Sequence, residues 1–210
     1  MRTCRRDTPS GDAPRAHPWT DAPSSAAHRY RDFKASPQLV RTALEDFTPW
    51  DGRKAIETFY RLVEWMNEPD GAFESNDCEF TGPHDDAAHP PKSQECSGRL
   101  MILFRDLPHN LSHPRVEALE RAVHLGLAAL DRDFEWGIVG TTIMRTRYVE
   151  LPGGADGPLG YQLMLSFWAW GDTDDETMGN LDRLLGNLSE ALRGIERHES
   201  QDRLEPRMRT

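Results

Sequence analysis

The chain has 210 residues, with 25 Lys or Arg against 35 Asp or Glu, so its formal net charge is −10. Apolar residues make up 37% of the sequence, below the usual level of about 45–50%. No apolar run approaches the ~20 residues of a membrane span, and the acidic balance disfavours binding to nucleic acid. The composition therefore indicates a soluble chain with one modest hydrophobic core.

Both ends of the chain are polar and lack periodic apolar residues. Residues 1–35 contain four prolines among Ser, Gly and Arg, a composition typical of unstructured segments. We predict disordered tails at 1–35 and 199–210 around a single α+β domain at 36–198. Three cysteines and no secretory apolar region predict a cytoplasmic protein without a disulfide framework.

Four segments have the apolar spacing of helices. The first begins at Ser36-Pro37 and the second at Thr48-Pro49, and together they predict an N-terminal helical hairpin that ends near residue 68. The third begins near Ser112. The fourth begins at Thr173, where Glu176 three residues later fits a capping box.

Three strands are predicted at 100–104, 134–149 and 160–170, with a weaker one near 77–81. The order after residue 98 is β-α-β-β-α. We therefore predict an α+β two-layer sandwich, with an about four-stranded, mainly antiparallel sheet and the N-terminal helical hairpin. Both faces of the strand at 160–170 are apolar, so its second face needs a cover, which the hairpin, a partner or a second copy could supply.

One candidate site is the loop spacing C-x5-H-x4-H-x6-C formed by Cys78, His84, His89 and Cys96. Thiolates and imidazoles are the usual zinc ligands, so a metal protein or an enzyme is one alternative, with Cys78 as the nucleophile in its catalytic form. The four residues are not paired two to four positions apart, unlike the ligands of common zinc fingers. We therefore expect no resident cofactor and no catalysis.

The second candidate site is acidic. Residues 51–100 hold 11 acids against 5 bases, and such clusters steer basic partners and speed their association. We expect a small acidic module that binds a basic protein, such as an inhibitor or immunity protein that masks a toxin. A structural homo-oligomer, a homodimer in its simplest form, is the remaining alternative. The predicted partner-binding residues are Glu68, Asp70, Glu74, Asp77, Glu79, Asp85, Asp86, Met164, Trp168 and Trp170.

Overall fold

The computed structural model describes residues 1–8, 13–19, 31–86, 91–149 and 157–204, with side chains up to residue 198. The strands are β1 (Arg2–Arg5), β2 (Arg15–Pro18), β3 (Phe73–Asp85), β4 (Gln94–Phe104), β5 (Gly137–Val149) and β6 (Leu159–Gly171). The helices are α1 (Val40–Ala43), α2 (Lys54–Met66), α3 (Leu107–Asn110), α4 (His113–Ala129) and α5 (Asp174–Leu204). Single 3-10 turns lie at Pro37–Leu39 and Thr48–Trp50.

The six strands form one mixed sheet in the order β1-β5-β6-β4-β3, with β2 also paired to β5. The four long strands pair antiparallel, whereas β1 and β2 run parallel to β5. The α+β class is confirmed, but the predicted four-stranded antiparallel sandwich is wrong. The two additional strands come from the segment 1–35, whose apolar residues are too sparse to show a strand period.

The predicted N-terminal helical hairpin is also wrong. Its first helix is only one turn long, because the backbone leaves the helical region at Leu44 (ψ 74°). Its second helix cannot begin at Thr48, because Gly52 has φ +84°, a left-handed conformation that interrupts the chain before Lys54. The apolar residues that suggested a hairpin, among them Phe47, are buried in the core from irregular backbone.

The three long helices lie on one face of the sheet. The core contains the strand residues Leu100, Leu165 and Phe167, together with apolar residues of α2, α4 and α5. Helix α5 packs on both α2 and α4, so it occupies the centre of the helical layer. The predicted hairpin therefore does not cover the opposite face, because α2 belongs to the same layer as α4 and α5.

Arginine–carboxylate pairs anchor the N-terminal strands. In β1, Arg5 Nε lies 3.1 Å from Oε2 of Glu120, a buried carboxylate on α4. The other oxygen of Glu120 accepts a hydrogen bond from Thr141 Oγ1 at 2.8 Å, on the strand beside β1. A buried carboxylate is costly unless it is paired and hydrogen-bonded, so Arg5 stabilises both Glu120 and the docked strand.

The face of the sheet away from the helices is concave. Strands β2 and β3 are four strand spacings apart, which is about 19 Å in a flat sheet. Yet Arg15 Nη1 on β2 lies 2.6 Å from Asp77 Oδ2 on β3, and it also contacts Met101 Sδ on β4 at 3.9 Å. Because one arginine reaches the far edge of the sheet, the sheet must be strongly curved around this face.

No helix in the described part of the chain combines the length and apolar character needed to cross a bilayer. The longest, α5, has 31 residues, but charged side chains recur along it.

Candidate functional site

The structure separates the predicted metal ligands. Cys78 pairs with Leu100 in the β3–β4 ladder, four residues from Cys96, so the two cysteines are about 13 Å apart along the strands. His84 lies opposite Glu95 and is exposed, with its Nδ1 2.9 Å from Gly82 O, whereas Cys96 points into the core. His89 lies outside the described residues. Among the described residues, no group of three or more potential ligands is placed to hold a metal ion.

The half-buried Cys78 and the buried Cys96 are also poor nucleophiles. Burial raises the pKa of the Cys78 thiol to about 12 and that of the Cys96 thiol to about 12. Both thiols are therefore protonated at neutral pH, whereas the thiolate is the reactive and metal-binding form.

The predicted acidic run at 68–79 does not form one surface. Glu68 and Asp70 are exposed in the turn after α2. Glu74 is only 3% exposed on the concave face, with Lys34 Nζ at 3.9 Å and Arg105 Nη1 at 4.0 Å. Strand alternation and the curvature of the sheet thus divide residues that are adjacent in sequence.

The acids nearest the centre of the concave face are paired. Asp77 contacts Arg15 at 2.6 Å and Arg99 at 3.4 Å, and Arg99 also contacts Glu79 at 2.6 Å. Trp168, on the same face, lies under the guanidinium of Arg6 at 5.5 Å. This face therefore presents a balanced set of charges rather than the negative patch that the composition suggested.

A different acidic surface forms at one end of the sheet. The β3–β4 hairpin meets the N-terminus of α5 there, since Gln94 pairs with Gly171 and the indole Nε1 of Trp170 donates to Asp86 Oδ2 at 3.3 Å. We call this surface the acidic end. Its seven carboxylates belong to Asp85, Asp86, Glu95, Asp172, Asp174, Asp175 and Glu176.

In the described part of the chain, Lys92 and Arg53 form ion pairs with carboxylates of the acidic end. Lys92 Nζ donates to Asp172 Oδ2 at 2.8 Å and to Glu176, and it lies 5.0 Å from the centre of the Trp136 ring. The hydrogen bond from Lys92 lowers the pKa of Glu176. Arg53 pairs with Asp175. Apart from Asp86 and Glu95, five carboxylates face these two cations among the described residues, so the surface is negative.

The N-terminus of α5 has the cap that its sequence predicted. The backbone N–H of Glu176 donates to Thr173 Oγ1 at 3.2 Å, and Glu176 Oε2 accepts from the backbone N–H of Asp172 at 2.9 Å. The first bond satisfies a backbone donor of the first helical turn, and the second satisfies the backbone N–H of the residue before the cap. Glu176 and Asp172 therefore have a structural role, whereas Asp174 and Asp175 are exposed and project from the same turn.

A polar cluster that the sequence analysis missed lies at the floor of the concave face. Asn76 Nδ2 donates to Gln162 Oε1 at 3.0 Å, and Asn76 also bonds His17. Gln162 is fully buried, and its Nε2 has no hydrogen-bond partner in the described part of the chain. The one available signal was Gln162 itself, a polar residue in the middle of an apolar strand.

His17 is 1% exposed and stacks edge-on against Tyr148 at 6.1 Å. Burial lowers its pKa to about 4, since the charged imidazolium is poorly solvated in this position. The imidazole is therefore neutral at physiological pH. Nothing in the sequence marked this residue, because it lies in the segment that was expected to be a tail.

Two adjoining clefts open beside this cluster, where the segment around α1 faces β3. The first has a volume of about 400 Å³ and the second about 350 Å³. They share Arg31, Ala43, Leu44 and Cys78. The second cleft also meets the bulge in β3 at Asn76–Cys78, where Asp77 has φ 42°. Bulges of this kind are common beside binding sites.

The chain was compared with protein-family models, with curated proteins and with solved structures, and none of them matches it.

Proposed function

We propose that the protein is a non-catalytic binding module that docks a basic partner protein on the acidic end. The observation that supports this proposal is the meeting of two acidic segments, 85–86 and 172–176, which are far apart in sequence and close together at one end of the sheet. A concentrated negative patch raises the association rate of a basic partner and favours it over other proteins.

The aromatic residues at this end support binding in a second way. Trp136 is half-buried, and the ammonium of Lys92 packs over its ring. Trp170 holds the β3–β4 hairpin in place through its hydrogen bond to Asp86. A rigid platform loses little side-chain entropy when a partner docks. The patch is therefore preorganised, and Asp85, Asp174 and Asp175 are the exposed acids that meet the partner first.

The sharper form of this proposal is an inhibitor or immunity protein. A toxin that acts on nucleic acid carries a basic substrate groove, because phosphate contacts dominate its affinity. An acidic surface held on a stable sheet and helix end can cover such a groove by charge complementarity. The active toxin would then lose activity in proportion to the amount of this protein added.

The test uses the full-length chain with a tag, the triple variant Asp85→Asn/Asp174→Asn/Asp175→Asn, and a matched control variant. The control, Glu68→Gln/Asp70→Asn/Glu190→Gln, removes the same number of exposed acids elsewhere. Partners are captured from the native cell, identified by mass spectrometry, purified, and measured for association rate over a salt series.

We expect the triple variant to associate with a basic partner roughly tenfold more slowly at low salt, with a weaker salt dependence. The control variant should behave like the wild type. Equal rates for the wild type and the triple variant, or an equal loss in the control, would contradict docking at the acidic end.

A further inference from the structure

The two clefts beside α1 differ from each other in whether their charged residues are paired. Arg31, Glu45 and Asp46 line the first cleft, are exposed, and make no ion pair with any other described residue. The acid of the second cleft, Asp77, is instead paired with Arg15 and Arg99. The first cleft therefore offers one cation and two carboxylates to a ligand.

The second cleft offers a different environment. Its walls include Pro18, Phe33 and Leu44, and its polar side is formed by Ser75 and Asn76. Binding sites for small molecules combine apolar walls with a few polar groups that converge on the ligand, in volumes of about 300–1,000 Å³. The cleft is at the small end of this range, so it suits a ligand of few atoms.

From this arrangement we propose that the joined clefts bind a free α-amino acid with an apolar side chain. The carboxylate of the ligand pairs with Arg31, which lies where the two clefts meet, and the ammonium faces Glu45 and Asp46. The two charges of an α-amino acid are separated by a single carbon, which fits opposite charges that line one cleft. The side chain then enters the second cleft beside Phe33 and Leu44.

A guanidinium can form two parallel hydrogen bonds with a carboxylate, which fixes the orientation of the ligand as well as its charge. Ala43 lines both clefts. A large side chain at Ala43 would fill the shared space without changing any charge. A substitution at Ala43 therefore tests the need for the shared cleft volume independently of the charged residues.

The experiment measures binding of l-leucine to the full chain by isothermal titration calorimetry and equilibrium dialysis. Two analogues each lack one charge: 4-methylpentanoate has no ammonium, and 3-methylbutylamine has no carboxylate. The variants are Arg31→Gln, Glu45→Gln/Asp46→Asn and Ala43→Phe. The matched control is Arg61→Gln, which removes an exposed arginine of α2. Circular dichroism and thermal melting check that each variant is folded.

We expect one l-leucine to bind per chain with a Kd below about 1 mM. Each analogue should bind at least about tenfold more weakly than leucine. Arg31→Gln and the double acidic variant should each weaken leucine binding about tenfold or more, and Ala43→Phe should abolish it. Arg61→Gln should bind like the wild type.

Three results would overturn the proposal: no saturable leucine binding at about 10 mM, equal binding of leucine and a one-charge analogue, or equal losses in Arg31→Gln and Arg61→Gln. None of them bears on docking at the acidic end, because the tested residues lie outside that surface.

Discussion

Protonation of His17 should make the stability of the fold depend on pH. In the folded chain the pKa of His17 is lowered from 6.5 to about 4 by burial. Above pH 6.5 the imidazole is neutral in both the folded and unfolded states, so it adds no pH dependence. Between pH 6.5 and 4 the unfolded state binds a proton that the folded state does not, and the free energy of unfolding falls. Below pH 4 both states are protonated.

The size of this effect follows from the shift. A change of about 2.5 pKa units at about 1.36 kcal/mol each corresponds to a loss of about 3 kcal/mol between pH 6.5 and 4. Carboxylates also titrate near the lower end of this range, so the effect is measured as a difference between variants. His17→Gln keeps a polar group beside Asn76 and removes the titration.

The assay is urea unfolding at intervals from pH 8 to 4, followed by circular dichroism and tryptophan fluorescence. The gap in unfolding free energy between the wild type and His17→Gln should shift by about 3 kcal/mol as the pH falls from 6.5 to 4. His84→Gln is the matched control for losing an exposed imidazole. A gap that stays constant across this range would refute both the buried position of His17 and the docking of β2.

Further predictions concern single residues. Arg105 donates to four backbone carbonyls around the α2–β3 turn, at 2.8–3.3 Å; Arg105→Met should lower the free energy of unfolding by about 2–4 kcal/mol, and Arg105→Lys by clearly less, in urea titrations. Asn110 is fully buried and forms hydrogen bonds with both the N–H and the carbonyl of Phe104, at 2.9 and 2.6 Å. Asn110→Ala should lower the free energy of unfolding by about 2–4 kcal/mol in the same titrations, and a loss under about 1 kcal/mol would contradict this pair of hydrogen bonds. A thiol reagent should label the exposed Cys4 rapidly and the half-buried Cys78 slowly, since the raised pKa keeps the Cys78 thiol protonated, whereas the buried Cys96 should react only on unfolding.

The sequence was most informative where side-chain periodicity determines the structure. Strands β5 and β6 and helices α4 and α5 begin within a few residues of their predicted positions, because apolar residues with period 2 or 3.6 form their buried faces. Strands β1 and β2 have no such pattern. Backbone pairing with β5 and the contacts of Arg5 and Arg15 hold them in place. A pattern of apolar residues cannot reveal a strand that is docked in this way.

The candidate site shows the same limit. The sequence identified Asp85 and Asp86 as candidate binding residues but assigned Glu176 only to a helix cap, and the tertiary fold is what brings the segments 85–86 and 172–176 together. It also grouped Glu74 and Asp77 with exposed acids, although Glu74 is buried and Asp77 is paired across the concave face. Two of the four cations that balance them, Arg15 and Lys34, come from the N-terminal part of the chain, and the other two are Arg99 and Arg105.

The parallel pairing of β1 with β5 has a consequence for biosynthesis and refolding. Arg2 pairs with Ile138, so at about 5–20 residues per second the first strand waits roughly 7–27 s for its partner to be translated. Contacts this distant in sequence are costly to close and form slowly. The N-terminal strands should therefore be the last part of the sheet to gain protection from hydrogen exchange during refolding. In the native state they should be the first part to lose it.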